Sequence, residues 1–428
     1  MTREDAASTD RRARLAAAVG RRVGPVSRRL HMGEGAVIGG NLALRISPDV
    51  ARHLGEGHRS VLVSATNGKT TTTRLLSAGV GPGVVTNRQG ANLRTGIVAA
   101  LFHAPPGAPA VLEIDEAELG WGIEQLDPEL LVLMNLSRDQ LDRHHEVGKL
   151  AARWKGVLEG ADVRIVANCD DPMVVHAVEG RNVRWVSQGT QWRGDSQLCP
   201  RCSTRLGGES EDWWCDGCGF RRPEPTVWLD DDDVVIGDGV VGDDGGDGRR
   251  YHLDLAIPGR YIRSNATIAV AALLELDLPV ADALERWKGI GEVEGRYRTG
   301  TVNGAPARIW LVKNPAGWGD VLWYIRSSGH RVVGALNAQV PDGKDPSWIW
   351  DVPFEQLEGM DVGCIGERAV DLAVRLRYAG AHPSLCRDLA EAVGDDPSPV
   401  EIVANYSAFR ALRGELGEGR LDGGGLDG

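Results

Sequence analysis

Four of the seven cysteines stand in two close pairs, CPRC at residues 199–202 and CDGC at residues 215–218. The spacing, with two residues inside each pair and twelve between the pairs, is typical of two knuckles that hold one tetrahedral Zn²⁺. Four thiolates complete the coordination sphere, so no position is left for water or a substrate. The pattern predicts a structural zinc site of Cys199, Cys202, Cys215 and Cys218, inside a zinc-ribbon insert at about residues 195–225.

An apolar run, a glycine-containing turn and the residues GKT follow one another in SVLVSATNGKTTTTRLL, residues 60–76. In a phosphate-binding loop of this order, N–H groups at the helix start point at phosphate oxygens, and Lys69 reaches the β- and γ-phosphates. The hydroxyl of Thr70 is then a ligand for Mg²⁺. Ala65 stands where such loops usually have their first glycine. The motif predicts a nucleotide site formed by Thr66, Asn67, Gly68, Lys69, Thr70 and Thr71.

Two successive α/β patterns must position these motifs. From about residue 58, short β-branched runs alternate with helical stretches, which is typical of a parallel sheet wrapped by helices. A second alternation follows Arg296. We therefore predict an α/β fold with three parts: a basic helical lead-in (1–57), a parallel-sheet middle domain with the phosphate loop and the zinc ribbon (58–296), and a smaller α/β C-terminal domain with a disordered Gly-rich tail (297–428).

Charge is distributed unevenly along the chain. The net charge of −12 disfavours nucleic-acid binding, whereas residues 1–30 contain eight arginines and three acidic residues. This basic segment fits either a solvated helix packed on the body or a helix attracted to an anionic membrane. No apolar run is long enough to span a bilayer and no secretory signal is recognisable, so the sequence predicts a cytoplasmic protein, with contact at the inner face of the plasma membrane left open.

The loop TNGKTTT (66–72) resembles the ATP loop of the Mur ligase family, which includes the folylpolyglutamate synthetases. Further blocks that resemble the family follow in the same order: NRQGANLRTG (87–96), EIDEAEL (113–119), NLSRDQLDRHHE (135–146), NCDDP (168–172), GRYIRSNATIAVAA (259–272) and GRY (295–297). The resemblance implies a Mur-ligase-like fold that binds ATP, with Mg²⁺ on Glu113, the nucleotide near Asn265 and its γ-phosphate near Arg296. Gln140 replaces a metal-binding histidine of the peptide-adding ligases, which leaves a second metal site open.

The C-terminal motifs resemble one branch of this family in particular. The zinc insert, KNPAGW (313–318) and DGKDPSWIWD (342–351) are similar to a branch of this family, the synthetase subunits of lipid II isoglutaminyl synthases. The resemblance implies ATP-dependent amidation of the α-carboxylate of D-glutamate in the lipid II stem peptide to D-isoglutamine, through an acyl phosphate. It also implies a GatD-like glutaminase partner that supplies ammonia, and an Asp345 that completes the partner's Cys–His pair, with Asp342 and Asp351 as its nearest competitors.

Glutamine hydrolysis on this chain itself would need a cysteine on a sharp turn after a strand. Cys364, in VGCIG, follows an apolar run, but its glycine spacing does not match a nucleophile elbow. The glutaminase is therefore predicted on another chain. Two other hypotheses stay open: a self-sufficient Mur-type or folylpolyglutamate-type ligase that adds an amino acid, and a nucleotide-gated zinc-ribbon scaffold protein.

Overall fold

The structure, a computed structural model, describes residues 11–23, 35–87, 91–138, 147–189, 194–209, 211–237, 249–291 and 296–417. Gln140, the Gly-rich tail and parts of the lead-in lie outside these residues. The chain forms two compact units. The N-terminal unit comprises Met1–Leu136, Val147–Asp254 and Arg263–Trp287, and the C-terminal unit comprises Ser137–Glu146, Leu255–Ile262 and Lys288–Gly428. The division predicted from the sequence at residues 57/58 and 296/297 stays a prediction.

The N-terminal unit contains an eight-stranded sheet in the order β2-β1-β3-β4-β5-β6-β7-β8. Its strands are β1 (Ser60–Ser64), β2 (Ala110–Ile114), β3 (Leu130–Leu133), β4 (Arg164–Asn168), β5 (Val183–Ser187), β6 (Val227–Asp230), β7 (Asp233–Ile236) and β8 (Arg249–His252). Strands β1 to β6 are parallel, and β7 and β8 extend the sheet antiparallel. Strands β1, β2 and β3 are buried along their whole length, which explains their continuous apolar sequences.

Helices cover this sheet. They are α1 (residues 11–23), α2 (Gly35–Ile46), α3 (Val50–Gly55), α4 (Lys69–Val80), α5 (Arg94–Leu101), α6 (Leu119–Leu126), α7 (Val147–Leu158), α8 (Pro172–Ala177), α9 (Arg260–Glu275) and α10 (Val280–Trp287). A 3₁₀ turn, Glu116–Glu118, links β2 to α6. Helix α10 is fixed to α4, because the indole Nε1 of Trp287 donates to the Leu75 carbonyl at 2.8 Å. No helix among the described residues combines the length and the apolar character needed to cross a membrane.

The basic lead-in packs on the body through small residues. Ala13, Ala16 and Ala17 of α1 are buried, and the last two belong to the core of the N-terminal unit. Helices α2 and α5 also approach closely, since a Cβ on Gly40 of α2 would lie 2.1 Å from the Thr95 carbonyl oxygen of α5. Helix α1 therefore belongs to the folded unit, as expected of a solvated helix packed on the body.

The C-terminal unit contains a six-stranded sheet in the order β13-β12-β11-β14-β10-β9. Its strands are β9 (Tyr297–Val302), β10 (Ala305–Leu311), β11 (Arg331–Ala335), β12 (Asp361–Ile365), β13 (His382–Leu385) and β14 (Val400–Ala404). Only β9 is antiparallel to its neighbour. The helices are α11 (Pro315–Ser328), α12 (Ala369–Tyr378), α13 (Leu389–Val393) and α14 (Tyr406–Leu412), with 3₁₀ turns at Val340–Asp342, Ser347–Asp351 and Phe354–Leu357.

The predicted fold class is confirmed by these two units. One contains a mostly parallel sheet with the phosphate-loop motif and the cysteine-rich insert, and the other contains a second, smaller α/β sheet. The acidic run Asp230–Asp233 lies at the turn between β6 and β7. Three of its four carboxylates are paired: Asp230 with Arg250, Asp232 with Arg263, and Asp233 with His252 at 2.9 Å and Arg250 at 3.2 Å. The run therefore closes a hairpin.

Candidate active site

The phosphate-loop motif forms a tight turn between β1 and α4. Gly68 has φ 84°, a left-handed conformation that strains any residue with a Cβ. A Cβ on Gly68 would lie 2.4 Å from Oδ1 of Asn265 and 2.9 Å from Cε of Met134. Glycine at residue 68 is therefore required by conformation and by space, and Asn265 of α9 lies directly against the loop.

Asn135, just beyond β3, holds the loop from the side. Its Oδ1 accepts the Asn67 N–H at 2.9 Å, and its Nδ2 donates to the Asn67 carbonyl at 3.0 Å. The Thr66 N–H donates to the Asn135 carbonyl at 2.9 Å. Sequence reasoning placed Asn135 in a family block but assigned it no role. A polar residue directly after the apolar run LLVLM was the available signal.

Lys69 is buried and ion-paired. Its Nζ donates to Oε2 of Glu116 at 2.8 Å and to the Ala65 carbonyl oxygen. Burial disfavours the charged form, but the carboxylates of Glu116 and Glu113 more than offset this, so the pKa of Lys69 lies above its usual value. A fixed positive charge therefore stands at the start of α4. Glu116 was missed by sequence reasoning because only the fold brings it to Lys69.

Two oxygen groups beside this charge lack hydrogen-bond partners. Both carboxylate oxygens of Glu113 and the hydroxyl oxygen of Thr70 are buried, and none is hydrogen-bonded by the residues that the structure describes. The Glu113 backbone is itself fixed, since its N–H donates to Oδ1 of Asn87 at 2.8 Å. A buried carboxylate without donors is costly unless a cation satisfies it. A carboxylate and a hydroxyl are ligands that a hard cation such as Mg²⁺ prefers.

The predicted nucleotide-binding residues fall into two groups. Thr66, Asn67, Gly68, Lys69, Thr70, Thr71 and Asn265 all belong to the N-terminal unit, on the loop, on α4 and on α9. Arg296 belongs to the C-terminal unit, where it precedes β9 and its carbonyl accepts the Leu311 N–H at 2.8 Å. Its predicted approach to the γ-phosphate stays a prediction.

The four clustered cysteines converge. Their Sγ atoms all lie within 4.8 Å of one another, with 3.6 Å from Cys199 to Cys218 and 3.4 Å from Cys202 to Cys215. A tetrahedral Zn²⁺ with bonds of about 2.3 Å separates its thiolates by about 3.8 Å, so the donor set fits this ion. The two pairs share one turn geometry: Ser203 N–H donates to the Cys199 carbonyl at 2.9 Å, and Gly219 N–H donates to the Cys215 carbonyl at 3.0 Å.

The cysteine-rich insert is anchored to the sheet by a buried acid. Asp170, which follows β4, is fully buried and accepts from Nη2 of Arg222 at 2.8 Å. The same carboxylate accepts the backbone N–H groups of Gln188 and Gly189 at 2.8 and 2.9 Å. The indole of Trp213 adds a hydrogen bond to the Cys169 carbonyl at 3.1 Å. The insert is therefore continuous with the core of its unit.

Three aspartates surround a pocket in the C-terminal unit, and only one of them lacks a distant partner among the described contacts. Asp342 accepts the Ser407 N–H at 2.9 Å and also binds its hydroxyl, which ties the pocket to α14. Asp351 pairs with Arg138 at 3.1 Å. Asp345 is exposed, and within the part of the chain that the structure describes its oxygens accept only the N–H and the hydroxyl of the nearby Ser347, at 2.8 and 2.9 Å. Asp345 is therefore the carboxylate best placed to meet another molecule.

The wall of this pocket combines charge with exposed aromatic surface. It spans about 500 Å³, including space open to solvent, and Lys313, Asn314 and Trp348 contribute to its lining. Next to it, the ring of Trp350 is 51% exposed and meets the ring of Tyr378 edge-on, with 5.5 Å between centroids. Tyr378 is 77% exposed. Large apolar rings exposed together are typical of a protein-binding surface.

Cys364 cannot act as a nucleophile in this conformation. It lies inside β12, its side chain is fully buried, and burial raises the pKa of its thiol to about 12. A buried thiol of this kind stays protonated and out of reach of glutamine. The burial of Cys364 agrees with its glycine spacing, which does not match a nucleophile elbow.

Comparison with known proteins assigns the class. A family model described as "Mur ligase middle domain" matches residues 63–197. The solved structure of a pseudomurein peptide ligase type C from Methanothermus fervidus superposes with a TM-score of 0.62 at 19% identity, over 83% of this chain and 78% of that one. A Mycobacterium tuberculosis folylpolyglutamate synthase, solved with ADP and AMPPCP, gives a TM-score of 0.56 at 14% identity, over 87% and 94%. The chain therefore has the fold of the Mur ligases, and residues 63–197 match the middle-domain model of that family.

The C-terminal part of the chain matches a narrower family model. A family model described as "MurT ligase C-terminal" matches residues 311–409. A curated relative, the "Lipid II isoglutaminyl synthase (glutamine-hydrolyzing) subunit MurT" of Streptococcus pneumoniae, is 29% identical over 89% of this chain and 92% of its own length. The chain is thus similar to a MurT subunit along nearly its whole length.

Proposed function

We propose that this chain is the synthetase subunit of a lipid II isoglutaminyl synthase. It would amidate the α-carboxylate of D-glutamate in the stem peptide of lipid II, with ATP as the energy source. Similarity to MurT along nearly the whole chain carries this proposal. The buried oxygens of Glu113 and Thr70 beside the phosphate loop, which have no hydrogen-bond partner among the described residues, support it chemically, because they match what a Mg²⁺–nucleotide requires.

The residues of the N-terminal unit would position the nucleotide. N–H groups at the start of α4 would bind the phosphates, Lys69 would supply a fixed positive charge, and Asn265 borders the loop. Glu113 and Thr70 would hold Mg²⁺, which offsets phosphate charge when bound. The substrate carboxylate attacks the γ-phosphorus, giving an acyl phosphate and ADP. Ammonia then attacks the acyl carbon, phosphate leaves, and a proton is lost from the attacking nitrogen.

Ammonia would come from a glutaminase partner of the GatD kind. Buried Cys364 cannot provide the glutaminase activity, whereas the exposed Asp345 and the rings of Trp350 and Tyr378 suit a partner that docks on the C-terminal unit. At such an interface, Asp345 would accept a hydrogen bond from the partner's catalytic histidine, fix its tautomer and stabilise the imidazolium. Asp345 is thus proposed as a catalytic residue of the assembled enzyme.

Zinc is proposed as a structural ion of the cysteine cluster. We expect one zinc per chain, and we expect Cys215→Ser to lose it and to lower the melting temperature, because three ligands no longer close the site. Elemental analysis and thermal unfolding measure both effects. Cys386→Ser, outside the cluster, is the matched control and should change neither. A fully folded Cys215→Ser protein that still retains one zinc per chain would contradict the assignment.

Asn135→Ala tests the support of the loop. The variant loses both side-chain hydrogen bonds to Asn67, so we expect roughly tenfold weaker ADP binding, since each such bond contributes about 0.5–1.5 kcal/mol. Calorimetric titration with Mg²⁺–ADP measures the affinity, and thermal unfolding without nucleotide serves as the control for global stability. Unchanged affinity would show that Asn135 does not position the loop.

Mass spectrometry of lipid II tests the function itself. The chain is incubated with lipid II, ATP and Mg²⁺, with either ammonium or glutamine as nitrogen donor and without any partner. We expect the mass change of OH replaced by NH₂ with ammonium only. Amidation with glutamine alone would reveal a glutaminase site on this chain. No amidation with either donor, despite ATP binding, would favour a ligase that adds an amino acid or a scaffold protein.

A further inference from the structure

The outward side of α1 is an arginine-rich surface on an acidic protein. Arg11, Arg12, Arg14, Arg21 and Arg22 are all exposed. Residues 11–23 contain no aspartate or glutamate, although the chain as a whole carries a net charge of −12. Positive charge is therefore concentrated on one helix. Such a local reversal of charge attracts anionic partners that the rest of the surface repels.

Helix α1 has two separate apolar features. Its inner side, with Ala13, Ala16 and Ala17, is buried in the core of the unit. At about 100° per residue, Leu15 and Ala18 lie on the opposite side, among the arginines. Leu15 is 59% exposed. The inner side supplies the packing of α1 on the unit, and Leu15 takes no part in that packing among the described residues.

We propose that this outer side, defined by Arg11, Arg14, Leu15, Arg21 and Arg22 and called here the arginine face, docks on an anionic phospholipid bilayer. Guanidinium groups pair with lipid phosphates in a planar, bidentate manner, and long arginine side chains reach the headgroups while their stems lie on apolar surface. A helix of thirteen residues, about 20 Å long, suits a position parallel to the membrane plane. Leu15 would enter the acyl boundary.

This inference goes beyond the proposed function and is tested without it. A lipid-linked substrate gives a reason for membrane docking, but the charge pattern and the exposed leucine carry the inference. Vesicle binding needs no ATP, partner or turnover. Vesicle binding without amidation of lipid II would overturn only the proposed function. Amidation of lipid II without vesicle binding would overturn only the docking surface.

The test is co-sedimentation of the full chain with vesicles of phosphatidylcholine that contain one third phosphatidylglycerol. We expect binding that falls at high salt and is absent with phosphatidylcholine alone. Each arginine near an anionic surface strengthens binding roughly fivefold. The triple variant Arg11→Gln, Arg14→Gln, Arg22→Gln should therefore bind about a hundredfold more weakly. Leu15→Asn should also weaken binding, with all charges kept.

The matched control removes the same charge elsewhere. Arg326, Arg387 and Arg410 are exposed residues of the C-terminal unit, and their triple replacement by glutamine should leave vesicle binding unchanged. Far-ultraviolet circular dichroism and melting curves check that every variant is folded. Equal binding by wild type and the α1 variant would overturn the proposal. Arginine-dependent binding to duplex DNA without binding to vesicles would also overturn it, in favour of a soluble polyanion.

Discussion

Replacement of Asp345 by asparagine is expected to abolish glutamine-dependent amidation and to leave ammonium-dependent amidation intact. The carboxylate would orient a histidine of the partner, and loss of such a carboxylate from a catalytic triad lowers turnover on the order of 10⁴-fold. In the proposed mechanism ATP binds at the phosphate loop of the N-terminal unit, whereas Asp345 belongs to the C-terminal unit. Measurement of both reactions with the assembled complex therefore separates the glutaminase from the synthetase.

The local structure around Asp345 should tolerate the substitution Asp345→Asn. The Ser347 N–H donates to Oδ1 of Asp345, and an asparagine oxygen can still accept this bond. The turn should therefore persist, and complex formation and melting temperature should stay at their wild-type values. Loss of both reactions together would contradict the assigned role, since it would place Asp345 in the synthetase chemistry or in folding.

The neighbouring aspartates provide matched controls. Asp351→Asn breaks only a half-exposed pair with Arg138, which contributes about 0–1 kcal/mol, so both reactions should continue. Asp342→Asn weakens the contact with Ser407 and is expected to lower stability while both reactions decline together. Selective loss of the glutamine reaction in either variant would reassign the triad carboxylate.

Replacement of Lys69 by methionine is expected to abolish amidation with either nitrogen donor. The lysine charge would stabilise the transferring phosphoryl group, and loss of one such electrostatic contact costs on the order of 10²- to 10³-fold in turnover. Nucleotide affinity should fall as well. Phosphate release with ammonium as donor and calorimetric ADP titration measure the two effects. Lys155→Met, which removes a half-exposed pair with Glu179, should leave both unchanged.

The single variant also carries a stability cost that must be separated from the chemistry. Without Lys69, the carboxylate of Glu116 is left buried and unpaired, and a broken buried ion pair costs about 3–5 kcal/mol in the free energy of unfolding. The double variant Lys69→Met, Glu116→Gln removes both charges. We expect its melting temperature to recover while its activity stays absent. Recovery of activity together with stability would show that Lys69 serves only the fold.

Much of this protein could be predicted from local sequence. The phosphate loop lies within one strand, turn and helix start, and the four cysteines lie within twenty residues, so spacing alone was sufficient to locate both. The fold class was predicted from two alternating α/β patterns, and the two sheets of the structure confirm it. The phosphate loop and the cysteine pairs depend on contacts between near neighbours in the sequence. Their spacing therefore predicts them without knowledge of how distant segments pack.

Only the tertiary structure determined how distant residues complete these motifs. Asn135 and Glu116 reach the phosphate loop across 68 and 47 residues of sequence, through parallel strands whose order the sequence pattern does not specify. Likewise, the motif at residues 343–351 alone could not show that Ser407 donates a hydrogen bond to Asp342 while Asp345 stays exposed. Burial and pairing depend on which segments meet in space. The sequence by itself therefore determined which chemical groups are present, and packing determined which of them are free to act.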